Sequence, residues 1–238
     1  MSSIPLIIGV AVFVIAISII FSLVKSVMKI IFLVLSITTI LSVIFGAFVI
    51  LDLKDFRENF PTGEKKLILE DEGNIIAGLL MKGEEEPIFL SQEQISAYSG
   101  YLKEKDFDAI LGGSYKLMVL NMDIFENPPK DTIEIDDEDL TSDFLISVLN
   151  SEEPKSLMEE EIGKGIELDE TELKGAIFGL MFNEVMQSPI YFFKQYKNGN
   201  ILIYPETAIF KAIKYIPLGF VKSAMQKVMS KVEEKIDI

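Results

Sequence analysis

Carboxylates are the side chains in this sequence that could perform chemistry, because the chain has 37 Asp and Glu residues but no His and no Cys. Without those two residue types, thiolate nucleophiles, Ser-His and Cys-His dyads, disulfides and the usual zinc and haem ligand sets are excluded. Arg57 is the only arginine, which excludes a phosphate site built from several guanidinium groups. Carboxylate acid–base chemistry and oxygen-ligand sites for Ca²⁺ or Mg²⁺ remain.

A dense run of carboxylates, residues 136–139, precedes an apolar stretch. Asp137, Asp139 and Thr141 alternate as calcium ligands do, but the central Gly and the Glu at the twelfth position of a calcium loop are missing. Carboxylates also favour the N-terminus of a helix, where they accept hydrogen bonds from free N–H groups. We therefore predict that this run opens a helix that ends near residue 149.

Glu184 is the only carboxylate between residues 173 and 187, a segment predicted to form a helix that is apolar on nearly all sides. A carboxyl group buried there would have a perturbed pKa, so Glu184 is a candidate acid or base; a rim position with a lysine partner is the alternative. Gly175 and Gly179 on the same helix predict a close packing surface. The glutamates at 159–161 indicate a solvated face within a polar loop or linker over 151–170.

Five aromatic residues cluster between positions 191 and 204. Tyr191, Tyr196 and Tyr204 each combine an apolar ring with a hydroxyl group, and Phe192 and Phe193 lie between the first two. Such a cluster is typical of a ligand or partner surface. The alternative is that these rings belong to the hydrophobic core.

Two uncharged segments, about residues 4–24 and 30–50, are each long enough to cross the ~30 Å hydrocarbon layer of a bilayer as a helix. Lys25 and Lys29 lie between them. Because a lysine at mid-bilayer is unfavourable, we predict a transmembrane hairpin that holds both lysines at the interface. The lipid bilayer is therefore the first predicted partner.

Sidedness follows from the lysines and arginines near the spans. Lys25 and Lys29 favour a cytoplasmic hairpin tip, which places the rest of the chain outside. Lys54, Arg57 and the lysines at 65–66 favour the opposite orientation. Because the tip lysines adjoin the spans directly, we predict an extracytoplasmic domain.

Charge is segregated along the chain, whose net charge is −15. Residues 67–175 carry 8 Lys against 28 Asp and Glu, so they would repel nucleic acid, which we exclude as a partner. The tail, residues 206–238, has an apolar stripe at helical spacing with Lys222, Lys227 and Lys231 on its other faces. We predict an amphipathic helix that lies on an anionic membrane or packs on the domain or on a protein partner.

The remaining patterns predict local elements. Ser91 and Gln94 form a capping box that opens a helix over 92–105, and Asp169 opens the helix that contains Glu184. The other predicted elements are a hairpin over 66–70 and 74–81, a short strand at 88–90, a strand over 115–125 with 132–135 beside it, a helix over 189–198 and a strand at 201–204.

Together these patterns predict a membrane-anchored α+β protein. An N-terminal two-helix transmembrane hairpin (residues 1–50) is followed by a juxtamembrane linker (51–65). A soluble α+β domain (66–238) then has a small antiparallel sheet and a C-terminal amphipathic helix. We predict no cofactor.

Three functions are compatible with this architecture. The first is a membrane-anchored interaction or scaffold protein, a subunit or adaptor of a membrane complex, that associates with a protein partner or with itself and has no catalytic chemistry of its own. The second is a membrane-tethered enzyme that uses carboxylates and Mg²⁺ or Ca²⁺. The third is a lipid-binding module, which requires a continuous pocket of a few hundred Å³.

Overall fold

The computed structural model describes residues 31–220 and 223, apart from residues 45, 49, 53, 57 and 136. Contacts divide the chain into two units, Met1–Leu51 and Asp52–Ile238. In the described part, one helix, α1 (Ile31–Phe56), is long and apolar enough to cross a membrane. The first predicted span and the hairpin tip lie outside the described residues, as does the tail beyond residue 220 except residue 223.

Helix α1 continues beyond the predicted span of residues 30–50. Asn59 Nδ2 donates a hydrogen bond to Asp55 Oδ1 at 2.7 Å, and Lys54 lies 4.0 Å from Glu58, one helical turn on. Such pairs, spaced four residues apart, stabilise a helix. Because no Gly or Pro occurs between residues 51 and 60, nothing in the charged exit segment ends the helix earlier.

A five-stranded mixed sheet forms the centre of the second unit. Its strands are β1 (Glu64–Asp71), β2 (Asn74–Lys82), β3 (Ile88–Phe89), β4 (Lys116–Asn121) and β7 (Ile201–Tyr204), and their order in the sheet is β3-β2-β1-β4-β7. Strands β1 and β4 run parallel, whereas the other neighbours are antiparallel. The α+β class is confirmed, but the main sheet is mixed, and the small antiparallel sheet consists only of β5 (Thr132–Ile135) and β6 (Glu138–Thr141).

Helices cover both faces of the main sheet. On one face, helices α2 (Gln92–Glu104) and α3 (Phe107–Leu111) pack around Ile68 and Leu117. Leu67 and Leu69 point to the opposite face, which carries the larger core. That core also includes residues of α4 (Ser142–Asn150), α5 (Pro154–Ile162), α6 (Glu170–Gln187), α7 (Pro189–Asn198) and α8 (Ala208–Tyr215). Because consecutive residues of β1 face two different cores, the strand is apolar on both sides.

Two local expectations were wrong between residues 132 and 141. Strand β5 does not pair with β4; it forms a hairpin with β6, with Ile135 opposite Glu138. The position beside β4 is taken by β7, with Ile203 opposite Met118. The acidic run does not begin a helix either, because Asp137 adopts a positive φ of 67° in the hairpin turn and Thr141 caps α4 instead.

The polar stretch 151–170 also contains more structure than we expected. Helix α5 occupies Pro154–Ile162, where Pro154 takes the first turn, a position at which its missing N–H costs no hydrogen bond. Met158 is 2% exposed and anchors this helix to the larger core. Only residues 151–153 and 163–169 of this stretch lack regular structure.

The predicted start and stop signals are confirmed at several helix ends. Ser91 and Gln94 form the capping box of α2, and Asp169 forms a second one with Glu172 at α6. Gly199 ends α7 in the left-handed conformation that glycine adopts without steric cost.

The glycine pair of α6 forms a packing surface against the sheet. A Cβ atom at Gly175 would lie 2.8 Å from Phe89 Cδ1, and one at Gly179 would lie 3.3 Å from Leu79 Cδ2. The predicted close contact is therefore present, and its partners are strands β2 and β3.

We expect Gly175→Ala to destabilise the protein by about 1–3 kcal/mol, because the new methyl group overlaps Phe89. Gly100→Ala in α2 is the matched control, since an added Cβ there meets nothing within 4 Å. It should stabilise the protein by up to ~1 kcal/mol through helix propensity. Chemical denaturation of the full chain in detergent measures both changes, and equal effects of the two substitutions would contradict the packing argument.

Candidate functional site

A groove lies on the larger core side of the sheet, next to helices α6, α7 and α8. It comprises two adjoining cavities of about 690 and 260 Å³. The two cavities share Phe60, Met118 and Met186 as walls. We call the two together the apolar groove.

Apolar side chains make up nearly all of the surface of the groove. The floor consists of sheet residues, and the walls come from α6, from the segment after α1 and from the loop before β3. The larger cavity is lined by Phe60, Pro61, Lys65, Leu67, Leu79, Met81, Pro87, Phe89, Met118, Ala176, Gly179, Leu180, Phe182, Asn183 and Met186. The smaller one is lined by Phe56, Phe60, Met118, Met186, Pro189, Phe192, Phe193, Phe210 and Ile213.

Small residues on α6 create the depth of the larger cavity. Ala176 and Gly179 face it where longer side chains would fill it. Leu180 and Met186, further along the same helix, are 41% and 38% exposed although they line the groove. The groove therefore presents apolar side chains to the outside, an arrangement that is typical of binding sites for apolar ligands.

Lys65 is the one charged residue among the described residues that line the groove. It is 8% exposed, and its ammonium donates a hydrogen bond to the carbonyl oxygen of Phe60 at 2.7 Å. The same ammonium lies 5.0 Å from the centre of the Phe60 ring. Burial lowers the pKa of Lys65, because an ammonium loses hydration in this surrounding.

Aromatic stacking fixes the wall formed by the end of α1. The rings of Phe56 and Phe60 stack with centroids 4.3 Å apart, and Phe56 meets Phe210 edge to face at 5.8 Å. The hydroxyl of Tyr115 donates a hydrogen bond to Asp55 Oδ2 at 2.6 Å, which ties the same helical turn to the start of β4. Burial, followed by the bond to Asp55, raises the pKa of Tyr115, so the hydroxyl keeps its proton.

The opposite wall, α8, is held by a three-residue polar contact. Tyr196 donates a hydrogen bond from its hydroxyl to Glu206 Oε1 at 2.8 Å, and Lys214 forms an ion pair with the same carboxylate. Burial raises the pKa of Glu206, but the bonds from Lys214 and Tyr196 outweigh this effect and leave the pKa below its ordinary value. This contact anchors α8, which supplies Phe210 and Ile213 to the groove.

The structure separates the predicted tyrosine cluster. Tyr196 is buried beside the groove, whereas Tyr191 donates a hydrogen bond to the carbonyl of Ile124 at 2.6 Å. Tyr204 belongs to the other sheet face, where its ring lies 5.7 Å from that of Phe107. Tyr196 and Tyr204 nevertheless both line a separate cavity of about 570 Å³ beside β7, and Tyr191 is absent from its described lining.

Glu184 lies near the end of α6, where Gln187 Nε2 donates a hydrogen bond to it at 3.4 Å. It is absent from the described lining of the groove. Among the residues that the structure describes, no three His, Cys, Asp or Glu side chains are placed to hold a metal ion. The candidates Lys25, Lys29, Lys222, Lys227 and Lys231 lie outside the described residues.

Sequence reasoning did not identify Lys65 as a site residue. A signal was available, because a strand alternates its faces and Lys65 therefore points the same way as Leu67 and Leu69. A lysine at the end of a row of otherwise buried side chains indicates a charged group at the edge of the hydrophobic core. Comparison of the chain with protein-family models, curated proteins and solved structures finds no match.

We expect Glu206→Gln to lower the melting temperature at neutral pH, because it removes the ion pair that anchors α8. Since the folded pKa of Glu206 is lowered, its stabilising effect is present above the unfolded value near 4.3 and is lost as pH falls through the folded value. Thermal melts of both proteins between neutral and acidic pH should therefore converge on acidification. A difference that stays constant with pH would show that this carboxylate does not anchor α8.

Proposed function

We propose that the protein is a membrane-anchored lipid-binding module whose α+β domain takes up one acyl chain in the apolar groove. The observation that carries this proposal is the groove itself: about 690 Å³ in its larger part, with an almost wholly apolar lining and exposed apolar rims. Ligand pockets in proteins range over ~300–1,000 Å³ and are lined mostly by apolar side chains. A closed core would have excluded this function.

Membrane attachment supplies the ligand in this proposal. Helix α1 has the length and composition of a membrane span, and a signal sequence would share those properties. Its last residue, Phe56, is also a wall of the groove, and Phe60 follows one turn later. The residues that line the groove therefore begin, along the chain, within a few residues of the proposed anchor. The two-helix hairpin and the extracytoplasmic side of the domain remain parts of the proposal.

An acyl chain suits the groove better than a peptide. A bound peptide would need partners for its backbone N–H and C=O groups, and the described lining offers only Lys65 and Asn183 as polar side chains. A hydrocarbon chain has no such requirement, and each buried CH₂ contributes about 0.8 kcal/mol. The scaffold function with a protein partner or self-association stays a prediction, since no described contact tests it.

The carboxylate-dependent enzyme has less support. That function requires Glu184 or the acidic run at residues 136–139 to lie in a concave site beside a second carboxylate. Asp137 and Asp139 are exposed in the β5–β6 hairpin, and Glu184 bonds only to Gln187 among the contacts described for it. The positions of these side chains therefore support binding of an apolar ligand better than they support catalysis by carboxylates.

We expect Ala176→Leu to reduce acyl-chain binding at least tenfold, because the larger side chain would extend into the cavity that Ala176 lines. Ala97→Leu, on the exposed surface of α2, is the matched control and should leave binding unchanged. The measurement is binding of a radiolabelled fatty alcohol to the full chain in phosphatidylcholine nanodiscs, corrected with empty nanodiscs. Wild-type protein that binds no more than empty nanodiscs would refute the proposed function.

A further inference from the structure

We propose that the ligand of the groove is a long-chain carboxylic acid whose carboxylate forms an ion pair with the ammonium of Lys65. This inference rests on the proposed lipid-binding function and adds the chemistry of the head group. Three observations carry it: the position of Lys65 in the cavity wall, the incomplete hydrogen bonding of its ammonium, and the lack of any other charged group in the described lining.

The ammonium of Lys65 has N–H donors that no described contact uses. An ammonium has three N–H groups, and the described contacts of Lys65 use one of them, to the carbonyl of Phe60. No carboxylate among the described residues forms an ion pair with it. A cation that is 8% exposed, lines a large cavity and lacks an anionic partner is poorly compensated. An anion bound in the cavity would supply the missing charge and accept the free donors.

A carboxylate fits this site better than a phosphate. One ammonium balances one negative charge, whereas a phosphate monoester carries up to two and is usually held by several cationic or backbone donors. The lining has no arginine and no second lysine in its described part. Asn183 lines the same cavity, and its side-chain amide can also donate hydrogen bonds.

Lys116 provides a matched comparison for Lys65. It lies opposite Lys65 in the parallel β1–β4 register and is 2% exposed. Its ammonium donates to the carbonyl of Pro205 at 3.0 Å, and Lys116 does not belong to the described lining of the groove. Removing either lysine deletes a buried ammonium from the sheet, but only the loss of Lys65 should change the preference for a head group.

The test compares two ligands with the same chain, hexadecanoic acid and hexadecanol, on the full protein in phosphatidylcholine nanodiscs at neutral pH. Both are radiolabelled, and empty nanodiscs give the background for each. We expect wild-type protein to bind the acid about ten to a hundred times more tightly than the alcohol, which is the range for a hydrogen bond to a charged group. The ratio for Lys65→Met should fall to near one, Lys65→Arg should keep most of the preference, and Lys116→Met should match wild type.

The outcomes separate the two proposals. Equal binding of acid and alcohol by wild-type protein would overturn the carboxylate inference and leave the lipid-binding function intact. Failure of both ligands to bind would refute the lipid-binding function itself. The function would be refuted in the same way if the reason for that failure were that the tail beyond residue 220 filled the groove. A preference for the acid that survives in Lys65→Met would assign the anion to another residue. If Lys65→Met does not fold by circular dichroism, the wild-type ratio and Lys65→Arg still decide the question.

Discussion

The arrangement of the domain depends on three buried lysines at one end of the central strands. Lys65, Lys66 and Lys116 are 8%, 5% and 2% exposed, and a buried ammonium must find hydrogen-bond acceptors. Each finds a backbone carbonyl: Phe60 O at 2.7 Å, Ile110 O at 2.5 Å and Pro205 O at 3.0 Å. Those carbonyls belong to the segment after α1, to α3 and to the connection before α8. The lysines thus fix three peripheral elements onto the sheet, and one of these, the segment after α1, forms a wall of the groove.

The groove exists because the helices cover this sheet face incompletely. Gly175 brings the first half of α6 close to β3, where its Cβ would overlap Phe89. Ala176 and Gly179 also line the larger cavity, although a Cβ at Gly179 would lie only 3.3 Å from Leu79 Cδ2, and Leu180 and Met186 stay partly exposed. The small residues therefore have two effects on one helix: close packing against the sheet and room for the cavity beside it.

Sequence patterns predicted the parts of this fold that are determined locally. The capping box at Ser91, the Asp169 cap and the glycine after α7 depend on residues within one turn, and all three are present. The pairing of β5 failed because a short strand that alternates apolar and polar residues does not identify its partner. The groove could not be predicted at all, since its walls are separated by more than a hundred residues. The alternation of β1 indicated that Lys65 faces the core side. That it lines a cavity depends on helices and loops distant in sequence, so the sequence could not show it.

The acidic character of the chain makes the local placement of Lys65 decisive for an anionic ligand. Residues 67–175 carry 28 acidic side chains against 8 lysines, so their long-range field repels anions. At physiological ionic strength that field is screened beyond ~8 Å, whereas an ion pair inside an apolar cavity is screened far less. A fatty acid in water would therefore gain no electrostatic steering toward this domain. In the proposed function the fatty acid comes from the bilayer, so its binding would not depend on such steering. Chain burial would then supply most of the affinity, and Lys65 would supply the choice of head group.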